Sequence, residues 1–539
     1  MGCTFGQVVL GRVAVLAVLA AVLASPAVAA AQAQKDAAAA TRGINQALIA
    51  GRLDAGQAGQ YRASVARALA TWNRLGGDRA KNLAGALHDA AALAGRYDAP
   101  RALTLFSSLD ANTDYLGTKA APRSTIDIQD VDGVLYRWFP GHGFQFHPLA
   151  NASKLSNLAP AFDSAPAASL AVALVDRAEP TANGGLAWDY LFPFDGGRPP
   201  WTSGMAQAAF AQAYSRAATN LDDPTYLDTA AKAFAAAQAL TRGLPVGPWV
   251  RLYSFSSLAV LNAQLQTALS IGEYARTSGD PNAVLFADRL MSAAAALLPQ
   301  FDTGSWSLYS LGGTEASLHY HKYVVDLLER LSQLDDRPQW LEYATLFGDD
   351  LTTPPDVTPV SSVKVVYPVP RDGFRDQASV TFQLSKTATV RLAVAGERSP
   401  YTLRPGRHTL TWDPGTRPAQ SYAAKLVATD VAGNTTEVPV GPFEVRRDTT
   451  APDVSATLAG GRVSWTATDD ETPWVRVRVR FSNGAGSKTI DLGKRRLNGS
   501  AKLAVPAGRW GATLVAADST GNTSTVSLGY VEKNASSAP

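Results

Sequence analysis

A change of period near residue 354 constrains this chain more than any other feature. From Lys35 to about Asp350 the sequence is rich in Ala and Leu, and its apolar positions recur with a helical period. From about Pro354 onward Val, Thr and Arg alternate with the two-residue period of a strand, between Gly, Pro and Asp turns. One packed layer cannot satisfy both periods, so a helical part and a separate β part are expected. The joint reads Thr352-Thr353-Pro354-Pro355-Asp356, a proline-marked linker. At 539 residues the chain exceeds what a single core usually supports, which agrees with several domains.

The helical part repeats. Asp223-Pro224 and Asp280-Pro281 each read as an N-cap followed by proline at the first helical position, and Pro338 after Asp335-Asp336-Arg337 reads as a third start. The three prolines stand at equal intervals of 57 residues (224, 281, 338). Helices precede them, ending near Ala218, Arg276 and Ser332. Stacked helical hairpins of this kind close into toroids or solenoids. The stretch Ala37 to Leu109 is also helical, with a further start at Pro100, while Ile126 to Asn151 is aromatic and aperiodic and reads as a β-hairpin or loop. The fold expected for residues 34–352 is therefore an all-α (α/α) toroid-like domain with a small β-hairpin region.

The β part repeats too. Ala428-Thr429-Asp430-Val431-Ala432-Gly433-Asn434 matches Ala516-Ala517-Asp518-Ser519-Thr520-Gly521-Asn522 at an offset of 88 residues (430, 518), a typical sandwich length. Two all-β immunoglobulin-like sandwiches are expected, over 353–447 and 448–534, joined at Asp448-Thr449-Thr450-Ala451-Pro452. The Asp-x-x-Gly-Asn segments read as strand-connecting turns.

The N-terminus has the pattern of a secretory signal over residues 1–33. Arg12 precedes the apolar run Val13 to Leu23, and Ala27-Val28-Ala29 or Ala31-Gln32-Ala33 supplies a small-x-small cleavage site. A secreted or cell-wall-associated protein is expected, with no membrane contact after cleavage and no other segment apolar enough to span a bilayer. The single cysteine, Cys3, precedes that run, so cysteine chemistry is not expected in the mature chain. A net charge of +3 is too weak, by charge alone, to mark a nucleic-acid or polyanion binder.

No phosphate-cradling loop, nucleophile-elbow serine or HExxH helix is present. The six histidines include two close pairs, His142 with His147 and His319 with His321, but neither stands beside an acidic ligand pattern, and no metal site is assigned. What gathers where helices begin is polar and aromatic: Trp201-Thr202-Ser203-Gly204-Met205-Ala206-Gln207, Trp249 to Tyr253 running into Val260-Leu261-Asn262, and Asp302 to Tyr309 leading to His319-Tyr320-His321. Aromatic rings pack on the C–H faces of sugars, and Tyr, Asn, Gln and Arg meet hydroxyls.

Residues from about Tyr190 to Leu351 resemble the C-terminal domain of D-glucuronyl C5-epimerases, which convert glucuronate to iduronate in heparan-type chains. Four features carry the resemblance: Trp201, Ser203, Met205 and Gln207 in a W-x-S-x-M-x-Q opening; Tyr253 with Val260-Leu261-Asn262; Asp302-Thr303-Gly304-Ser305 with Tyr309; and the pair Tyr320-His321. Gly133 to Asn151 is more loosely similar, with Phe146-His147-Pro148 where the family has an aromatic residue, tyrosine and proline. Two departures stand out. The family follows its DTGS tyrosine with Asp-Leu-Arg-His, where this chain has Ser310-Leu311-Gly312-Gly313, and its acidic residues before the VLN tyrosine are replaced by Arg251 and Leu252.

The resemblance implies C5 epimerisation: removal of a proton α to a carboxylate and its return to the opposite face. Two acid/base groups must flank C5, and the extra charge on the carboxylate must be stabilised. Tyr320 and Tyr309 are the first candidates, then Tyr253, with His321 completing the catalytic set. Arg251, Arg198 or His321 would supply the cation that lowers a phenol's pKa. Gln207, Asn262, Trp201, Trp138 and His147, with Arg198 and Arg251, would hold the sugar. No metal or organic cofactor is required. The expected partner is a uronate-containing polysaccharide, a cell-wall glycan included. Two alternatives stay open: a uronate polysaccharide lyase, and a non-catalytic glycan-binding protein.

Overall fold

The structure is a computed structural model that describes residues 26–158, 165–397 and 399–533. It divides into two compact units between Leu351 and Thr352. The first unit is helical and the second is built from β-strands.

Twelve α-helices form the described part of the first unit: α1 (Pro26–Ile49), α2 (Ala55–Trp72), α3 (Gly77–Ala92), α4 (Ala99–Thr118), α5 (Pro148–Asn157), α6 (Ala165–Val175), α7 (Gly204–Asn220), α8 (Tyr226–Ala239), α9 (Leu261–Ser278), α10 (Pro281–Phe301), α11 (Leu318–Ser332) and α12 (Gln339–Asp350). The 57-residue period is a series of three hairpins, α7–α8, α9–α10 and α11–α12. Helices α7, α9 and α11 pack on one another in a row, and α8, α10 and α12 back them. The sequence fits these places. Nearly every side chain of α7 and α9 is buried, and α7 is built largely of Ala, whose small side chain lets neighbours approach on all sides. In contrast α11 buries one stripe, Val324, Leu327, Leu328 and Leu331. Each such aliphatic side chain adds about 1.5–3 kcal/mol on full burial.

The expected starts hold in part. Asp280 caps α10, accepting from the Asn282 amide with Pro281 at the first position, and Asp98 caps α4 with Pro100 in the first turn. At Asp223-Pro224 the start lies later: the Asp223 carboxylate accepts from the Thr225 amide and hydroxyl, and α8 begins at Tyr226. Pro338 is itself the cap residue of α12. The expected hairpin near 126–151 is a three-stranded antiparallel sheet, Asp127–Gln129, Leu135–Phe139 and Gly143–Phe146, followed by α5. Its tip presses on α3 where a Cβ on Gly85 would meet the Gly141 carbonyl oxygen at 1.8 Å.

The signal expectation over 1–33 falls mostly outside the described residues. Both small-residue cleavage sequences lie within α1, and Ala33 is buried in the helical unit. The expectation that no further segment could span a membrane needs correction. Helix α10 is long and apolar enough by length and composition, but over half of it is buried against its neighbours, as in the core helix of a globular domain.

The second unit holds two β modules. In the first, the four-stranded sheet runs Pro400–Leu403, Ala388–Val394, Ala424–Asp430, Thr435–Pro439, and a three-stranded sheet runs Gly406–Trp412, Ala378–Leu384, Val357–Val363. They share a core that includes Val380, Phe382, Val390, Leu426 and Trp412. In the second, Gly486–Arg496, Trp474–Asn483, Gly508–Ala517, Thr523–Lys533 form the four-stranded sheet over a core of Val475, Val477, Val479, Phe481, Leu514 and Trp465. Both Asp-x-x-Gly-Asn segments are turns between the last two strands of these sheets. The Asp430 and Asp518 carboxylates accept from the Asn434 and Asn522 amides, and Gly433 and Gly521 both take φ 97°, which side chains with a Cβ resist.

Candidate functional site

The start of α7 is stitched to the segment that carries Tyr253. The Gly204 amide donates to the Arg251 carbonyl, and the Ser254 amide donates to the Thr202 carbonyl. A Cβ on Gly204 would lie 2.7 Å from Val250 Cγ2 and 2.9 Å from the Leu240 oxygen, so this close approach requires glycine. The start of α9 is joined to the segment that carries Tyr309, through the Leu261 amide to the Tyr309 carbonyl and the Leu311 amide to the Ala259 carbonyl. Tyr320 sits in the first turn of α11, where Ser317 caps its amide.

These three stretches bring Tyr253, Tyr309 and Tyr320 into one half-buried patch. The Tyr309 and Tyr320 rings lie 5.1 Å apart, and the Tyr253 and Tyr309 phenols are close enough to shift each other's pKa. Burial pushes all three phenols above their ordinary pKa. Tyr309 rises to about 12, with Tyr320 adding to the shift; Tyr253 rises furthest, through burial and then its tyrosine neighbours. No cation stands among the causes of these shifts, which corrects the expectation that Arg251, Arg198 or His321 would lower a phenol's pKa. Neutral phenols of this kind are proton donors at neutral pH.

His321 is not part of the patch. It is fully buried, stacked on Trp306 at 3.7 Å. Its Nδ1 takes the Ser307 amide at 3.2 Å and meets the Ser307 hydroxyl at 2.7 Å, and Nε2 faces the Phe347 carbonyl at 2.8 Å. Both ring nitrogens are spent on tying α11 to the DTGS turn and α12. That turn is itself structural, with the Asp302 carboxylate accepting from the Gly304 amide.

Several expected sugar contacts are braces instead. Gln207 is fully buried, receiving the Trp188 amide and donating to the carbonyls of Trp188 and Ser203. Trp138 is packed on Phe144 in the main core. His147 caps α5, accepting from the Ala150 amide, and burial with the nearby Arg137 charge keeps it neutral. Trp201 is only 4% exposed; it stacks on Tyr190 at 4.0 Å and supports Tyr253 edge-on at 5.6 Å. Arg198 is exposed and Arg251 half-buried. Asn262, at the second position of α9, is buried with no hydrogen-bond partner for its amide group among the described residues.

Three groups at the patch were not foreseen. Asp195 sits at a left-handed φ of 45°, and its carboxylate acts on the Tyr309 phenol. Phe255 stacks on Tyr253 at 5.5 Å and is 40% exposed. Along the aromatic cluster, the fully buried Phe192 leads to His142, whose Nδ1 meets the buried Asp89 carboxylate at 2.8 Å and whose pKa is raised by it. No local motif announces these, since Asp89 and His142 meet only when the sheet tip docks on α3. For metal binding, the second unit gathers Asp448, Asp469 and Asp518 with carboxylate oxygens within 4.8 Å of one another.

The segment that builds the tyrosine patch is of an identifiable class. Residues 183–348 match the family described as D-glucuronyl C5-epimerase C-terminus, so the resemblance read from the sequence holds for that segment. The match supports a carbohydrate enzyme that processes uronic acids. Among curated proteins none matches this chain. Similar solved structures include a GH76 α-mannanase from Bacteroides thetaiotaomicron (14% identity, TM-score 0.30, 38% of this chain and 58% of that one). An unsaturated glucuronyl hydrolase from a Bacillus species is also similar (13%, TM-score 0.26, 60% and 83%), as are fibronectin(III)-like modules of Clostridium thermocellum CbhA (16%, TM-score 0.16, 33% and 94%). The chain thus spans under two thirds of that mannanase, and likenesses this distant carry no activity to it.

Proposed function

We propose that this is a secreted epimerase of uronate residues in a polysaccharide, its helical unit an (α/α) toroid and its β modules immunoglobulin-like. The observation that carries the reading is the convergence of Tyr253, Tyr309 and Tyr320 within the segment that matches the epimerase family. Tyr320 and Tyr309 are the acid/base pair about C5: the one acting as base first gives its phenol proton to solvent and takes the C5 proton as phenolate, and the neutral partner returns a proton to the opposite face, with Tyr253 beside Tyr309. A phenol of raised pKa is a weak acid, but its phenolate is a correspondingly strong base, which suits a carbon acid as reluctant as C5–H. Asn262 offers an unspent amide to the sugar, and the exposed Phe255 face offers a platform.

A second reading is favoured by one observation. No cation stands among the causes of the tyrosine shifts and burial keeps all three phenols neutral, which suits a site that binds glycan without turnover. Incubation with glucuronate polymers in heavy water decides. Deuterium entering C5 without chain cleavage supports the epimerase. A new unsaturated uronate chromophore means a lyase, and binding without exchange means the non-catalytic reading.

A further inference from the structure

The outer face of the second β module carries a charge pattern that its fold does not require. Along Trp474–Asn483 the residues alternate: Val475, Val477, Val479 and Phe481 enter the core, and Arg476, Arg478 and Arg480 stand exposed on the other side. Directly paired residues share a face. Arg476 pairs with Lys494, Trp474 with Arg496, and Gly511 with Tyr530, while Arg509 stands on the same side as Gly511. That face therefore presents six cations, Arg476, Arg478, Arg480, Lys494, Arg496 and Arg509, against the carboxylates of Asp491 and Glu532. The surplus exceeds the net +3 of the whole chain, so the positive charge is concentrated here.

The cations are incompletely neutralised. Asp491 is shared by two arginines, at 2.7 Å from Arg476 and 3.2 Å from Arg478. Among the described residues, no carboxylate lies within ion-pair distance of Arg480 or Arg496. Lys494 lies 4.2 Å over the Trp474 ring, and Arg509 lies 4.9 Å over Tyr530, which is 76% exposed. The first module is an internal control. Its corresponding sheet shows Thr389, Arg391 and Ala393 on the matching strand, with Lys425 paired to Glu437 at 2.7 Å. The same architecture folds there without the cationic strip, so the strip is not a requirement of packing.

We propose that this face binds an anionic polysaccharide, a chain of carboxylated sugars lying across the strands. Arginines on alternate residues repeat every ~6.7 Å along a strand, with strands ~4.8 Å apart, so a polyanion meets several guanidinium groups at once. Guanidinium forks pair with carboxylates bidentately, and the exposed Tyr530 ring lies beside the cations for the C–H face of a sugar, with the half-buried Trp474 under Lys494. The choice of a uronate chain rests on the proposed function above; the charge argument does not.

The test uses the full chain and sulfate-free hyaluronan as probe, with dextran as the neutral polymer. The parent should bind hyaluronan and not dextran, with affinity falling steeply as salt rises. Arg476→Thr/Arg478→Thr/Arg480→Thr, which keeps strand propensity, should weaken binding tenfold or more and flatten the salt dependence, with an unchanged melting curve. Arg496→Thr is the milder second variant, and Arg391→Thr/Lys425→Thr on the first module should leave binding intact. Equal binding by the triple variant and parent overturns the proposal, as does stronger binding to duplex DNA or to phosphatidylserine vesicles than to hyaluronan. Binding with no C5 exchange would sink the epimerase and leave this inference standing; exchange without strip-dependent binding would do the reverse.

Discussion

Replacing His321 by alanine separates the two roles open to this residue. The ring is fully buried, stacked on Trp306, and bonded through both nitrogens to Ser307 and to the Phe347 carbonyl. Alanine removes those bonds and leaves the Ser307 amide and the Phe347 carbonyl unpaired inside the protein. Each stranded group costs about 1–3 kcal/mol. The cavity left by the ring adds to this, so the total should reach about 3–5 kcal/mol. Against a whole-domain stability of about 5–15 kcal/mol, that is enough to lower the melting temperature sharply. Chemical denaturation, followed by far-ultraviolet circular dichroism of the helical signal, measures it. His321→Asn can keep the Ser307 contact and should recover part of the loss. A variant within about 1 kcal/mol of the parent that had nonetheless lost C5 exchange would refute the argument and return His321 to the chemistry.

Three further outcomes are expected. Tyr320→Phe removes one half-buried oxygen; C5 exchange, read by NMR in heavy water, should fall about 10²-fold while the melting temperature changes little. Glu179 is pushed up to about 8 because burial outweighs the nearby Arg101 charge; the folded state keeps a proton that the unfolded state releases near its ordinary value, so stability falls as pH rises from about 4.5 to 8. Glu179→Gln should flatten that slope and melt above the parent at pH 9; parallel melting curves would refute it. Gly204→Ala forces a methyl onto Val250 and the Leu240 carbonyl and should cost about 1–3 kcal/mol by thermal melting, with no loss if the backbone can shift freely.

What the sequence disclosed depended on whether the physics was local. Asp280 before Pro281 makes a helix start by itself, and it is one. Asp430 to Asn434 makes a turn by itself, and it is one. At Asp223 the same dipeptide type opens instead with i→i+3 bonds, Tyr226 amide to Asp223 carbonyl and Leu227 amide to Pro224 carbonyl, where Asp280 accepts the i→i+4 bond of Val284, so α8 begins only at Tyr226. The tyrosines came from resemblance, since no spacing rule brings residues 253, 309 and 320 together; the start of α7 joined to the Tyr253 segment, the start of α9 joined to the Tyr309 segment and the first turn of α11 do. Gln207 and His321 look alike in sequence whether they meet a sugar or a backbone carbonyl, and the structure assigns them carbonyls. Asp195 and the Asp89–His142 pair had no sequence signal, because their chemistry arises from a loop conformation and from a docking contact.

On the reading proposed above, the distribution of charge makes holding the polymer and moving its proton separate jobs. The tyrosine patch offers neutral phenols and an aspartate, a poor long-range attractor for an anionic chain. The surplus positive charge sits on the second β module. Attraction between exposed charges is screened over about 8–10 Å at ordinary ionic strength, whereas proton transfer between half-buried groups is nearly insensitive to salt. Capture by the strip should therefore appear in KM and transfer at the tyrosines in kcat. Added salt, or loss of Arg476, Arg478 and Arg480, should raise KM for a long uronate polymer and leave kcat unchanged. For a disaccharide, too small to meet several guanidinium groups at once, the same changes should leave KM nearly unmoved. A fall in kcat on short substrates would mean that the arginines act on the chemistry itself, and the division of labour would be wrong.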